Sequence, residues 1–269
     1  MNVVIDYLVC YNWVGDYMIN YKKYNNLIDE KIYNAENECP YYKECSDSMS
    51  TCENKLKFYR TRIGSNYDNE PIKILVVGQE GVGRNKEYEC CEPCTMADAG
   101  YNPHYLKTFY TVAQILMTID ELPNDYTKDI RQEKFEELRH RFAITNYYKC
   151  AFSNNDNNSR VAHSSVMEKN CSNHLIEEIK MLKPDIVILQ GKSHKIFWKS
   201  FDYSTEYCNY VNVNGKNYEL GLYKTSSIKD VNKTVYIVDS YHPTSHGIWE
   251  KDEILSCFIG ILNKAKEKI

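Results

Sequence analysis

Thr234-Val235-Tyr236-Ile237-Val238-Asp239-Ser240-Tyr241-His242-Pro243-Thr244-Ser245-His246-Gly247 changes character halfway along. Thr234 to Val238 is β-branched and aromatic, the composition of a buried strand. The half that begins at Asp239 is mostly small and polar and contains a His-Pro turn. Two other stretches repeat the plan. Ile72 to Val77 runs into Gly78-Gln79-Glu80-Gly81-Val82-Gly83, and Phe142 to Thr145 runs into Asn146. Strands that each end in a polar cluster suit an open α/β sheet, which builds its site at the carboxyl ends of its strands.

The segments between these strands fit that plan. Residues 1–35 carry apolar and aromatic side chains at helical spacing, and residues 36–70 read as an irregular segment bearing Cys39, Cys45 and Cys52. Residues 84–103 form a long polar loop with Cys90, Cys91 and Cys94. Helical periodicity returns over Leu106–Ile119 and Glu133–Arg141. Asn154–Arg160 is an Asn/Asp/Ser loop. An amphipathic helix is expected over Glu168–Leu182, a buried strand over Asp185–Gln190 and a helix start over Gly191–Trp198. Residues 202–233 alternate Tyr, Val and polar residues as a β-excursion, and Asp252–Lys266 closes the chain as a helix. Strands alternating with helices predict a three-layer α/β/α fold with a mainly parallel central sheet.

The bulk numbers narrow the setting. The 269 residues suit one large domain or a domain with an extension, and no run is long enough to span a membrane. Residues 1–20 lack the features of a signal peptide, so a cytoplasmic address is expected. The net charge of −4 is not that of a basic nucleic-acid binder, so any DNA contact must rest on a local positive groove. Acidic residues in Gln132–Arg139 and Glu168–Lys180 are expected to face away from it. Eleven cysteines are many for such a chain, and metal or iron–sulfur ligation is the leading reading for part of the set.

Each strand-end cluster also has a plain reading. The glycines at 78, 81 and 83 suit a phosphate-cradling turn, but their spacing fits neither the dinucleotide fingerprint nor the Gly-Lys-Ser/Thr loop, so no nucleotide cofactor is expected. Asn146 can simply cap a turn, and a lone histidine such as His242 is often structural.

The order Gly-Gln-Glu, then Asn, then His-Pro-Thr resembles the motif order of the uracil-DNA glycosylase superfamily. Ile144-Thr145-Asn146-Tyr147-Tyr148-Lys149-Cys150 is similar to the Ile-Thr-Asn-Val-Val-Lys-Cys of its iron–sulfur, family 4-like members, and Asp185–Lys192 resembles the next strand of those proteins. The resemblance implies one glycosylase-like domain over 1–269, with 1–70 as a helical, cysteine-bearing extension. It implies that Glu80 positions a water and stabilises positive charge on the sugar. Asn146 would read the Watson–Crick edge of a flipped base with an amide that both donates and accepts. His242 would donate to the departing base. The turn residues Gly78, Gln79 and Gly81 would line the base pocket, with Tyr101, Tyr105 or Phe109 stacking on the base. Thr244, Ser245, His246 and Gly247 would hold DNA phosphates, and Ile248 or Trp249 would wedge into the duplex. The family's Asp is Glu80 here and its proline is Gly81, so the turn departs from the pattern by one methylene and one ring.

The resemblance also implies a 4Fe-4S cluster held by Cys39 and Cys45 with Cys150 and Cys171, and with Cys52 as a substitute. Zinc is the alternative, since four thiolates suit it equally. The expected activity is that of a monofunctional DNA glycosylase, acting as a monomer in base-excision repair. It removes uracil or a modified pyrimidine and leaves an abasic site. The longer loop and Gly81-Val82 leave room for bulky hypermodified phage cytosines, an antiviral-defence variant. A non-catalytic DNA-binding protein on the same fold is the competing reading.

Overall fold

The computed structural model describes residues 39–49, 54–55, 61–78, 116, 138–149, 152–153, 161–191, 202–225, 233–241 and 252–269. Two runs, Ile-Leu-Val-Val-Gly and Ile-Val-Ile-Leu-Gln, set the architecture. They are strands β3 (Ile74–Gly78) and β7 (Ile186–Gln190), and every residue in both is buried. A strand hydrophobic on both faces needs a layer on each side, which is the condition of a parallel sheet covered by helices. β3 pairs in parallel with β7 and with β4 (Ala143–Asn146), and β7 pairs in parallel with β10 (Val235–Ser240).

The seven-stranded sheet runs β2-β4-β3-β7-β10-β9-β8, with β2 (Arg62–Ile63), β8 (Ser204–Val213) and β9 (Lys216–Thr225) completing it. Its four central strands are parallel and both edges are antiparallel. The expectation of a mainly parallel sheet therefore holds for the core alone. The reason at one edge is local. Asn214 and Gly215 both take positive φ, 52° and 78°, which makes the tight turn that folds β8 back onto β9 as a hairpin. A separate small sheet joins β1 (Asn54–Lys55), β5 (Phe152–Ser153) and β6 (Val161–Ala162).

Helices cover both faces of the large sheet. On one side α1 (Tyr42–Asp47) and α2 (Ser165–Leu182) bring Cys45, Met167, Cys171, Leu175 and Ile179 against Leu75, Val77, Val187 and Ile237. On the other, α3 (Asp252–Lys266) packs Ile254, Phe258, Ile261 and Leu262 against Ile74, Val76, Ile188 and Val238. Leu116 and Leu138, both helical, join this second layer. The result is the three-layer α/β/α arrangement.

Boundaries moved for identifiable reasons. α2 begins at Ser165, not Glu168, because the Ser164 hydroxyl caps it by accepting from the Met167 N–H. It ends at Lys183, which takes left-handed φ 48° before Pro184. Arg141 lies outside the helix expected over Glu133–Arg141 and pairs instead with Glu70, Nη2 to Oε2 at 2.9 Å. The segment read as irregular holds α1, β1, β2 and a short 3-10 turn, Tyr67–Asn69. The helix over 1–35, the loops over 84–103 and 154–160, and the helix after Gly191 lie outside the described residues. Among the described residues, no helix is long and apolar enough to cross a membrane.

Candidate active site and the cysteine cluster behind it

The four parallel strands end level with one another. Val77 is in register with Leu189, and Leu189 with Asp239. The next rung pairs Gly78 with Asn146 on one side and Gln190 with Ser240 on the other. Four polar or glycine positions therefore close the carboxyl edge, directly above an apolar core. Strands lie about 4.8 Å apart, so the ends of β3 and β10 are about 10 Å from each other. The chain entering Gln79-Glu80 and the chain entering His242 leave from these two ends of one edge.

Asn146 is half-buried at this edge, and its position depends on the glycine beside it. A Cβ built on Gly78 would lie 2.7 Å from Asn146 Oδ1, closer than a side chain and an oxygen can approach. The missing side chain at position 78 is what lets the carboxamide rest against the neighbouring strand. The Tyr147 N–H donates to the Gly78 carbonyl at 2.8 Å and ties the turn after Asn146 to β3.

A buried charged network anchors β4 from beneath. Lys149 and Glu178 are both fully buried and pair at 2.5 Å. Thr145, the residue before Asn146, donates its hydroxyl to Glu178 Oε2 at 3.0 Å, contacts Lys149 Nζ and lies 2.8 Å from the Thr61 hydroxyl. Glu178 Oε1 is buried with no hydrogen-bond partner among the described residues. Glu178 points inward from α2, where its carboxylate balances the buried ammonium of Lys149.

Asp239 sits one rung below Ser240, three residues before His242. Burial, and then the charge of Glu219, push its carboxyl up to about 8, against a lowering contribution from the Ser240 backbone. Its Oδ1 is shielded from water. The Ser240 hydroxyl donates to the Leu189 carbonyl at 2.9 Å and locks β10 to β7 at this point.

Cys39, Cys45 and Cys171 are all buried, between α1 and α2. Desolvation raises Cys39 to about 11 and Cys171 to about 12, and it raises Cys45 as well. Cys45 and Cys39 add their charge to the shift at Cys171, so the three thiols lie within electrostatic reach of one another. The Lys149 N–H meets Cys171 Sγ at 3.5 Å, which brings the chain to this cluster immediately before Cys150. Among the described residues no three donors enclose a single metal ion. Thiols are the donors that an iron–sulfur or zinc centre takes, and three of them lie buried between two helices and the turn before α1. His174 lies in the same group, its imidazole held neutral with its pKa lowered by burial and by Lys149 to about 4.

Of the residues singled out from sequence, Gly78, Asn146, Cys39, Cys45 and Cys171 are described. Gly78 and Asn146 are brought together, and so are the three cysteines. Gln79, Glu80, Gly81, Tyr101, Tyr105, Phe109, His242, Thr244, Ser245, His246, Gly247, Cys52 and Cys150 lie outside the described residues. Gln190, Asp239 and His174 carried no role in the sequence reading: Gln190 counted only as a strand residue, Asp239 only as the start of a polar run, and nothing along the chain links His174 to Cys39.

The model of the uracil DNA glycosylase superfamily matches residues 103–263, more than half of the chain. The chain belongs to that superfamily. The match covers β4, α2, β7 and β10, and it takes in Asn146 and His242. No curated protein matches the sequence. Superfamily members are generally hydrolases that cleave bases from DNA, so DNA glycosylase chemistry is what membership points to.

Proposed function

We propose that the protein is a DNA glycosylase that flips a uracil or a modified pyrimidine out of DNA and hydrolyses its glycosidic bond, leaving an abasic site. The observation that carries this reading is the terminal rung of the sheet, where Asn146 is set against a glycine at the strand edge of a superfamily fold.

Each residue has a role that its chemistry can fill. The Asn146 carboxamide offers a donor and an acceptor to the Watson–Crick edge of an extruded base. A fixed amide discriminates because the wrong base leaves buried polar groups unpaired. Glu80, two residues beyond Gly78, orients the attacking water and stabilises the positive charge that grows on the sugar. His242, the residue after Tyr241, donates to the base oxygen as negative charge develops there, and a neutral imidazole suffices. The loop Thr244 to Gly247 holds phosphates on either side of the flipped nucleotide. No lysine nucleophile is needed, so the expected product is an intact strand with a missing base.

The cysteine set would hold a 4Fe-4S cluster, or zinc in its place, through Cys39, Cys45, Cys171 and Cys150. Such a centre supplies a structural tie between the α1 segment and the strand that carries Asn146. What supports this assignment is placement: Cys39, Cys45 and Cys171 are buried together between α1 and α2, and Cys150 follows Lys149, whose N–H meets Cys171 Sγ.

Purified protein incubated with DNA carrying uracil, hypoxanthine or modified cytosines tests the reading, with the released base identified by mass. Release of a pyrimidine that is lost in Asn146→Ala and in Glu80→Gln, with DNA binding retained, supports it. Tight DNA binding with no base released from any substrate would favour a non-catalytic role.

A further inference from the structure

Three buried sulfurs each meet one nitrogen. Cys171 Sγ faces the Lys149 backbone N–H at 3.5 Å, Cys45 Sγ faces Asn170 Nδ2 at 3.6 Å, and Cys39 Sγ lies 3.2 Å from His174 Nε2. Asn170, Cys171 and His174 fall within about one turn of α2, so a single helix face supplies one sulfur and two side-chain nitrogens. A thiol is a weak acceptor and makes little use of such donors, whereas a thiolate uses them fully. Nitrogens placed in this way suit sulfurs that serve as ligands.

His174 stands out within it. Its contact is the shortest of the three, its ring is 3% exposed, and it packs edge-on against Tyr41 with centroids 5.4 Å apart. Tyr41 belongs to the turn that Cys39 begins, in which the Tyr42 N–H donates to the Cys39 carbonyl at 2.9 Å. The imidazole thus touches both the Cys39 sulfur and the Tyr41 ring in the same turn. Resting on the metal reading of the cysteine set, the geometry points to His174 as a positioning residue for that centre: its Nε2–H donates to the Cys39 thiolate and holds the sulfur in its ligating orientation. No sequence motif marks this role. It arises because α2 places position 174 beside a cysteine 135 residues earlier in the chain.

Two substitutions separate this role from plain core packing. His174→Phe keeps a ring against Tyr41 and removes the donor, while His174→Gln removes the ring and keeps an N–H. Full-length protein is purified anaerobically, its iron and zinc per chain are measured, and loss of metal to 4-(2-pyridylazo)resorcinol, which binds both metals, is tracked by absorbance. Far-UV circular dichroism confirms that each variant retains its helices. The expected result is metal loss about 10- to 100-fold faster in His174→Phe, the range typical for outer-shell partners, with His174→Gln staying close to wild type. A phenylalanine variant as slow as wild type, or a glutamine variant as fast as the phenylalanine one, overturns the role of His174 while leaving the metal site intact. Wild-type protein with no bound metal overturns the metal reading itself, and this inference falls with it.

Discussion

At the scale of single residues, the close approach of Gly78 to Asn146 has the sharpest consequence. A methyl group at position 78 would meet Asn146 Oδ1 at 2.7 Å, and the flexible carboxamide is what must give way. Gly78→Ala should leave the fold intact and lower base release on the order of 100-fold, the scale of loss when a positioning group moves by about 1 Å. Single-turnover rates beside thermal melts check this, and a variant with wild-type rate would mean that Asn146 is not held to its task by Gly78. Asp239 gives a second residue-scale prediction. Its carboxyl is raised from 3.8 to about 8 by burial first and by Glu219 second. Between those values the folded chain keeps a proton that the unfolded chain has lost, so Asp239 lowers stability as pH rises from about 4 towards 8. Asp239→Asn should flatten that slope and raise the urea midpoint at pH 8 more than at pH 5.

At the scale of elements, the join between β4 and α2 depends on a charge pair that water does not reach. Lys149→Met leaves Glu178 buried and uncompensated, and the expected cost is about 3–5 kcal/mol. Lys149→Met combined with Glu178→Leu should recover much of it, because the penalty comes from the unpaired charge and not from the missing attraction. Urea unfolding of the two single variants and the double variant measures this coupling. The strands of this region were legible because β3 and β7 are short and apolar up to their last residue. The pair itself was not, since Lys149 and Glu178 are 29 residues apart and each looks like an ordinary surface residue in its own segment. The β8–β9 hairpin shows the opposite case. The alternation over 202–233 suggested strands, and the Asn214-Gly215 dipeptide that fixes their antiparallel return was in plain view. Gly215→Ala, forced to φ 78°, should cost about 1–2 kcal/mol in the same assay without altering base release.

At the scale of the whole molecule, one sheet separates two chemistries. Its carboxyl edge gathers Asn146, Gly78, Gln190 and Ser240, while the face under α1 and α2 carries the buried cysteines. β4 takes part in both: Asn146 ends it, and Lys149, three residues on, reaches the sulfurs. The order of motifs made the superfamily readable from sequence, because strands that end in polar clusters keep that meaning wherever the intervening loops lead. Cys39, Cys45 and Cys171 were singled out from the same resemblance, and all three are buried between α1 and α2. The histidine among them was not singled out, because its partner sulfur lies far off along the chain. The most direct test of the account is to incubate purified protein with uracil-containing DNA and a panel of modified-pyrimidine substrates and to quantify free base and abasic sites. The expected result is release of a free pyrimidine base from an otherwise uncut strand, abolished by Asn146→Ala. No base released from any member of the panel, by protein that binds the same DNA, would contradict it.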